Sequence, residues 1–231
     1  MKTFNFNGYS SDEFGIYVSG KDIHSAPARS QEFISVPGRD GAVIIDNGNY
    51  ENVNVSYTCY CKDLILSMNA VKAWLCRPGY CALQDDYNPS YFRYAAYSSN
   101  LKVDELINNV GKFTINFNCK PFMYLILGLL PRSYTSSGII ENPLFFDSLP
   151  KIKIIGTGAC TLNINSRAYS FTQIPTSLEV DSELMSCFNG TTLHNDKIQF
   201  TEFPYLEPGE NSISWTGNIT KVVITPKWRT L

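Results

Sequence analysis

Histidine is nearly absent from this chain: two residues in 231, at positions 24 and 194. With so few imidazoles, general-base chemistry and the common zinc sites lose their usual residue. Charge is also sparse, at 17% Asp, Glu, Lys and Arg, and no run of basic residues occurs. Residues 1–130 hold 11 Lys and Arg against 12 Asp and Glu, and residues 131–231 hold 8 against 9. Affinity for nucleic acid by phosphate neutralisation therefore has no visible source, and stable nucleic-acid binding is not expected. The longest apolar-rich stretch, PFMYLILGLLP at 121–131, falls well short of the roughly 20 residues of a membrane-spanning helix, and MKTFNFNGYSSDEFG lacks the apolar centre of a signal peptide. A soluble product made in a cytoplasm, with no membrane insertion, is the expectation.

Catalytic and metal motifs are missing as well. There is no G-x-S-x-G, no phosphate-binding G-x-x-x-x-G-K and no H-E-x-x-H. Asp85-Asp86 and Asp181-Ser182-Glu183 place carboxylates side by side, but neither has a nucleophile or histidine nearby in sequence, so no enzyme and no cofactor is expected. The seven cysteines, at 59, 61, 76, 81, 119, 160 and 187, contain no C-x-x-C pair. They read as free, mostly buried thiols rather than metal ligands.

What the chain does have is aromatic and β-branched alternation. Aromatics make up 13% of it, including 14 Tyr and 14 Phe. In ENVNVSYTCYC, Val53, Val55, Tyr57, Cys59 and Cys61 fall on one face of a strand; in GKFTINFNCKPF, Phe113, Ile115, Phe117 and Cys119 do the same. Between them, Asp63 can cap a helix whose apolar positions Leu64, Met68, Val71 and Leu75 follow helical spacing, with RPG at 77–79 stopping it. YCALQDDYNPSYFRYAAY reads as two strands around a turn. The first domain, 1–130, is thus a β-sheet or sandwich with one helix. A segment without sustained period, 131–150, reads as a linker or packing segment. From 151 to 231 short strands follow closely: KIKII, ACTLNIN, AYSFTQ, SLEVD, KIQF, and NSISW and TKVVIT joined through Thr216-Gly217-Asn218. Their spacing predicts a β-sandwich, and the whole chain is expected to be mainly β.

One loop stands out. In ISVPGRDG, residues 34–41, Pro37, Gly38 and Gly41 punctuate the backbone around the pair Arg39-Asp40. Proline fixes one dihedral and the glycines reach angles closed to other residues, so the stretch is a tight loop of specified shape. It serves either as a turn internal to one subunit or as a feature fitted to a partner.

Several stretches resemble a known family. FNGYSSDEFGIYV (6–18), EFISVPGRDG (32–41) and FPYLEPGENSISWTGNITKVVITPKWRTL (203–231) occur in the order and approximate spacing of the distal tail proteins of siphophages. GYCALQDDYNPSYFRYA is similar to that family's hairpin after the helix, and PKIKIIGTGACTLNIN to the opening of its second domain. The resemblance implies a hexameric ring at the tip of a long non-contractile tail. The N-terminal domain would make the ring and a galectin-like β-sandwich would project outward, joining the tail tube to the baseplate or tail fibre while DNA passes through. Expected partners are copies of the chain, a tail-tube protein, a tail-fibre or tail-associated protein, and a baseplate or receptor-binding protein. Pro37, Gly38, Arg39, Asp40 and Gly41 become candidate subunit-interface residues. The chain is short beside relatives that carry inserted carbohydrate-binding domains. A sugar-binding module contacting the host surface is the alternative, with Trp215, Trp228, Tyr169 and Tyr205 as candidate platform aromatics.

Overall fold

The computed structural model describes residues 1–21, 26–61, 64–99, 103–106 and 110–231. It divides into two compact units, one of residues 1–123 with Leu231 and one of residues 124–230. The expected Asp63 cap and His24 lie outside the described residues, as do the side chains of Leu64 and Met68.

In the first unit the strands are β1 (Phe4–Phe6), β2 (Tyr9–Ser10), β3 (Ile16–Lys21), β4 (Arg29–Ser35), β5 (Ala42–Tyr50) and β6 (Val53–Cys61). Helix α1 (Leu64–Leu75) follows, then β7 (Cys81–Asp85), β8 (Tyr91–Tyr97), β9 (Val103–Leu106) and β10 (Val110–Leu125). The main sheet runs β2-β1-β7-β8-β10-β6-β3, with β9 added on β10. β10 lies antiparallel to β6 from Gly111 opposite Cys61 to Cys119 opposite Val53. That register puts the two alternating apolar sets on one side of the sheet, where all nine residues are buried. A bridge between Lys2 and Val18 joins the two ends of the strand order, so the sheet curls back on itself. Helix α1 buries Val71, Trp74 and Leu75 against this core. Trp74 was not among the expected inward positions. Its ring stacks on Phe4 and Phe14, and its indole N–H donates to the Phe6 carbonyl at 2.8 Å.

The opening FNGYSSDEF is a chain of local signals. Asn7 and Gly8 both take positive φ in a two-residue hairpin between β1 and β2. Ser11–Phe14 then form a short 3-10 helix, where the Ser10 amide donates to the Glu13 carboxylate at 2.9 Å.

The second unit contains β11 (Arg132–Tyr134), β12 (Gly138–Asn142), β13 (Lys151–Ile164), β14 (Arg167–Ile174), β15 (Ser177–Asp181), β16 (Ser186–Asn189), β17 (Thr192–Leu193) and β18 (Gly209–Thr225). The order is β11-β18-β13-β15-β16-β17, with β12 on β18 and β14 on β13. Three sequence expectations need correction here. KIKII and ACTLNIN form the single 14-residue strand β13, and NSISW and TKVVIT the single 17-residue strand β18. Each glycine-containing join is a bulge rather than a turn: the pairing shifts register around Gly156–Cys160, opposite Gly217–Ile219. KIQF is not a strand; it follows a 3-10 turn, Asn195–Lys197, and contributes one bridge from Ile198 to Phe171. Within 131–150, two strands pair with β18.

The bulges explain the architecture. At them the neighbours change: the first half of β13 pairs with β15 and the second half with β14. Ile152 and Ile154 from one half of β13, and Leu162 and Ile164 from the other, meet in one buried core with Tyr169, Phe171, Leu178, Val222 and Trp228. A sandwich is thereby built from strands that pass from one layer to the other.

Candidate functional site

Among the described residues, strands β4 and β5 pair only with each other, from Ser35 opposite Ala42 back to Arg29 opposite Tyr50. The base of this hairpin is secured. The Arg29 Nε–H donates to Asp46 at 2.6 Å, its guanidinium lies over the Tyr50 ring at 5.2 Å, and Tyr50 meets Phe122 of β10 edge-on. Arg29 and the Gly48 amide both donate to the Asp46 carboxylate, which holds its pKa below the ordinary value. Beyond the base the arm is open. Phe33 is 64% exposed and Ile44 55%, and Ile34, Val36, Val43 and Ile45 are exposed as well.

The ISVPGRDG loop forms the tip. Pro37 and Gly38 occupy the central positions of a turn closed by the Arg39 amide donating to the Val36 carbonyl at 3.2 Å, and Gly38 has φ of 79°. Proline first and a positive-φ glycine second is the pattern of a type II turn. Gly41 at 78° returns the chain to β5. Arg39 and Asp40 are exposed, and among the described residues neither side chain has a partner. The structure thus brings all five sequence-selected residues, Pro37, Gly38, Arg39, Asp40 and Gly41, to the end of one apolar arm. The arm itself was not foreseen. Its signal was the run AVII in β5, apolar on both strand faces, where a half-buried strand alternates.

The carboxylate pairs considered for catalysis are held in structural networks. Asp85 accepts from Lys21 at 2.5 Å and from the Tyr57 hydroxyl at 2.6 Å, while Asp86 accepts from the backbone and side chain of Thr3. In the second unit Lys227 bridges Asp181 and Glu183 at 3.1 and 3.3 Å, and the Tyr124 hydroxyl donates to Glu183. Of the candidate platform aromatics, Trp228 and Tyr169 are buried in the core. The Trp215 indole donates to the Ile219 carbonyl, and Tyr205 lies under the Arg167 guanidinium at 3.8 Å. Alternation along β14 turns Tyr169 inward, and Trp228, just beyond the end of β18, packs into the same core, so neither forms an exposed platform.

Residues 11–119 match the phage tail protein RIFT-related domain family. The matched stretch includes the whole β4–β5 arm and ends as β10 leaves the first core. Across its full length the chain shares its fold with the Dit (gp 19.1) protein of phage SPP1, whose structure is described as a paradigm of the hub adsorption apparatus in phages infecting Gram-positive hosts. The match covers 100% of both chains with a TM-score of 0.78 at 14% identity, a likeness of fold. The expected resemblance to siphophage distal tail proteins holds at that level, in both units. No curated protein sequence matches the chain.

Proposed function

We propose that this phage tail protein is a distal tail component. Six copies close into a ring at the tail tip, join the tail tube to the baseplate or tail fibre, and leave a central passage for DNA. The observation that carries the reading is the β4–β5 arm. A two-stranded ribbon with no third strand is marginal in water, and six exposed apolar side chains along it add a surface that isolated soluble proteins rarely display. Seating the arm on the next copy covers that surface. Because the contact joins unlike surfaces, it repeats head to tail and closes into a ring; the number six is what the resemblance to distal tail proteins implies.

Within this contact the Pro37–Gly41 tip has a defined role. Its turn is set by proline and glycine before docking, so little backbone freedom is lost on binding. Arg39 offers two parallel donors to a carboxylate or to carbonyls of the neighbour, and Asp40 accepts from backbone amides. In the second unit, exposed Leu127 and Leu130 give a further apolar surface suited to a tube or fibre protein. Assembly takes place in the host cytoplasm and the product resides in the virion tail.

Light scattering of the purified protein, alone and mixed with its tail-tube and tail-fibre neighbours, tests the assembly. A closed hexamer mass is expected in at least one of these mixtures. A monomer mass in all of them overturns the reading.

A further inference from the structure

The β4–β5 arm changes character along its length. Near the base its side chains are polar on both faces: Gln31, Glu32, Asp46, Asn47 and Asn49 are exposed, and the Asn47 amide donates to the Ser30 hydroxyl at 3.1 Å. Towards the tip they are apolar on both faces. Directly opposite residues of an antiparallel pair share a face, and successive residues alternate. Phe33 opposite Ile44 therefore lies on one face, and Ile34 opposite Val43 on the other, where Ile45 joins them. The chain itself leaves all five exposed.

This division says how the arm is covered. A ribbon laid along a flat surface needs one apolar face over its whole length and keeps the other face polar, as half-buried strands do. A ribbon apolar on both faces over a short distal stretch needs cover on both faces, over that stretch alone. The stretch from Phe33 opposite Ile44 to Ser35 opposite Ala42 is about 10 Å long at the usual rise of a strand. Beyond it stand Arg39 and Asp40, whose charges cannot be left in an apolar enclosure, so the enclosure opens or turns polar before the tip.

Resting on the ring reading above, we propose that the arm is inserted into the next copy of the chain rather than laid on it. The receiving site is a slot with an apolar wall against each face of the distal arm. Packed sheet faces lie about 10 Å apart, so the walls stand ~20 Å apart between backbones, with the ribbon midway. The polar base of the arm crosses the gap between the two copies in water. The tip enters without rearrangement, because its turn is already closed by the Arg39 amide on the Val36 carbonyl.

Alkylation of cysteine probes tests it, read by peptide mass mapping of the single subunit and of the assembled ring. In a Cys76→Ser background, which removes the exposed native thiol, Phe33→Cys reports one face of the distal arm, Ile34→Cys the other and Asn49→Cys the base. Insertion predicts that the probes at positions 33 and 34 both slow at least tenfold on assembly, while the probe at position 49 stays reactive. Ile34→Asp with Val43→Asp should prevent rings as fully as Phe33→Asp with Ile44→Asp. Protection at position 33 alone, or rings retained by Ile34→Asp with Val43→Asp, overturns insertion and leaves the ring standing, with the second face free for water or a different chain. Rings in which both distal probes stay reactive overturn the arm contact itself. A chain that forms no ring in any mixture overturns the ring reading and this inference together.

Discussion

The Lys21 ammonium lies 2.5 Å from the Asp85 carboxylate, with both side chains largely removed from water. Asp85 also accepts from the Tyr57 hydroxyl and, through its other oxygen, from the Tyr87 and Asn88 amides. One carboxylate thus ties β3, β6 and β7 to the turn that follows. Burial alone would raise the Asp85 carboxyl; the bonds from Lys21 and Tyr57 outweigh it and hold the pKa below its ordinary value. Burial also pushes the Tyr57 phenol well up, with the Asp85 charge adding to it, so the phenol stays a donor.

Asp85→Asn leaves Lys21 buried without its counter-ion, which costs about 3–5 kcal/mol. The first unit should melt earlier by that amount. Because the native pKa is depressed, the wild-type contribution is present above the unfolded carboxyl value of about 3.9 and fades as pH falls through the lower native value. Chemical denaturation between pH 7 and pH 3 should show this loss in the wild type and a flatter dependence in the variant; parallel curves would contradict the assignment.

The second unit depends on the close approach of two bulges. A Cβ on Gly156 would lie 2.3 Å from the Asn218 carbonyl oxygen, and one on Gly217, at φ 88°, 2.6 Å from the Ala159 carbonyl oxygen. Backbone blocks both, so neither neighbour can yield cheaply. Gly217→Ala should destabilise the unit by about 1–3 kcal/mol in denaturant titration, with little effect expected on the first unit.

Thiol chemistry gives a third check. None of the seven cysteines is in a disulfide, and Cys76 is the exposed one. Burial pushes the Cys59 thiol up to about 12 and those of Cys119, Cys160 and Cys187 to about 11. At pH 8 these four are almost wholly protonated, hence unreactive. Iodoacetamide should label Cys76 first in the native protein, and all seven cysteines after unfolding without reductant. A pair protected in the unfolded state would reveal a disulfide.

Duplex DNA should not bind. Lys21, Arg29, Lys151, Lys153, Arg167 and Lys227 are each paired with a carboxylate, so folding cancels much of an already balanced charge. Without phosphate contacts a passage lets DNA through without salt-sensitive retention. Fluorescence anisotropy at physiological salt should show no change. Micromolar binding that weakens steeply with added salt would show a basic surface assembled by folding.

Much of this was legible in the sequence, and the failures share a cause. Period-two alternation found β6 and the first half of β10 because each has one wet and one dry face. Helical spacing found α1, but missed Trp74, whose burial depends on β1. A glycine inside a long strand carries the same local signal as a turn; only the opposite bulge decides between them, and that is a tertiary fact. The Pro37–Gly41 tip was readable because its turn chemistry is local. That it stands at the end of an exposed arm was not, since nothing local says that β4 and β5 lack a third strand.

The central claim is that the arm makes the ring, and electron microscopy of matched variants tests it most directly. Arg39→Ala with Asp40→Ala, and separately Phe33→Asp with Ile44→Asp, change only exposed side chains. Wild-type protein, under the conditions in which it assembles, should show rings with a central hole. Both variants should remain single subunits with melting curves within about 0.5 kcal/mol of wild type, as exposed substitutions usually do. Rings of unchanged abundance in both variants would contradict the account.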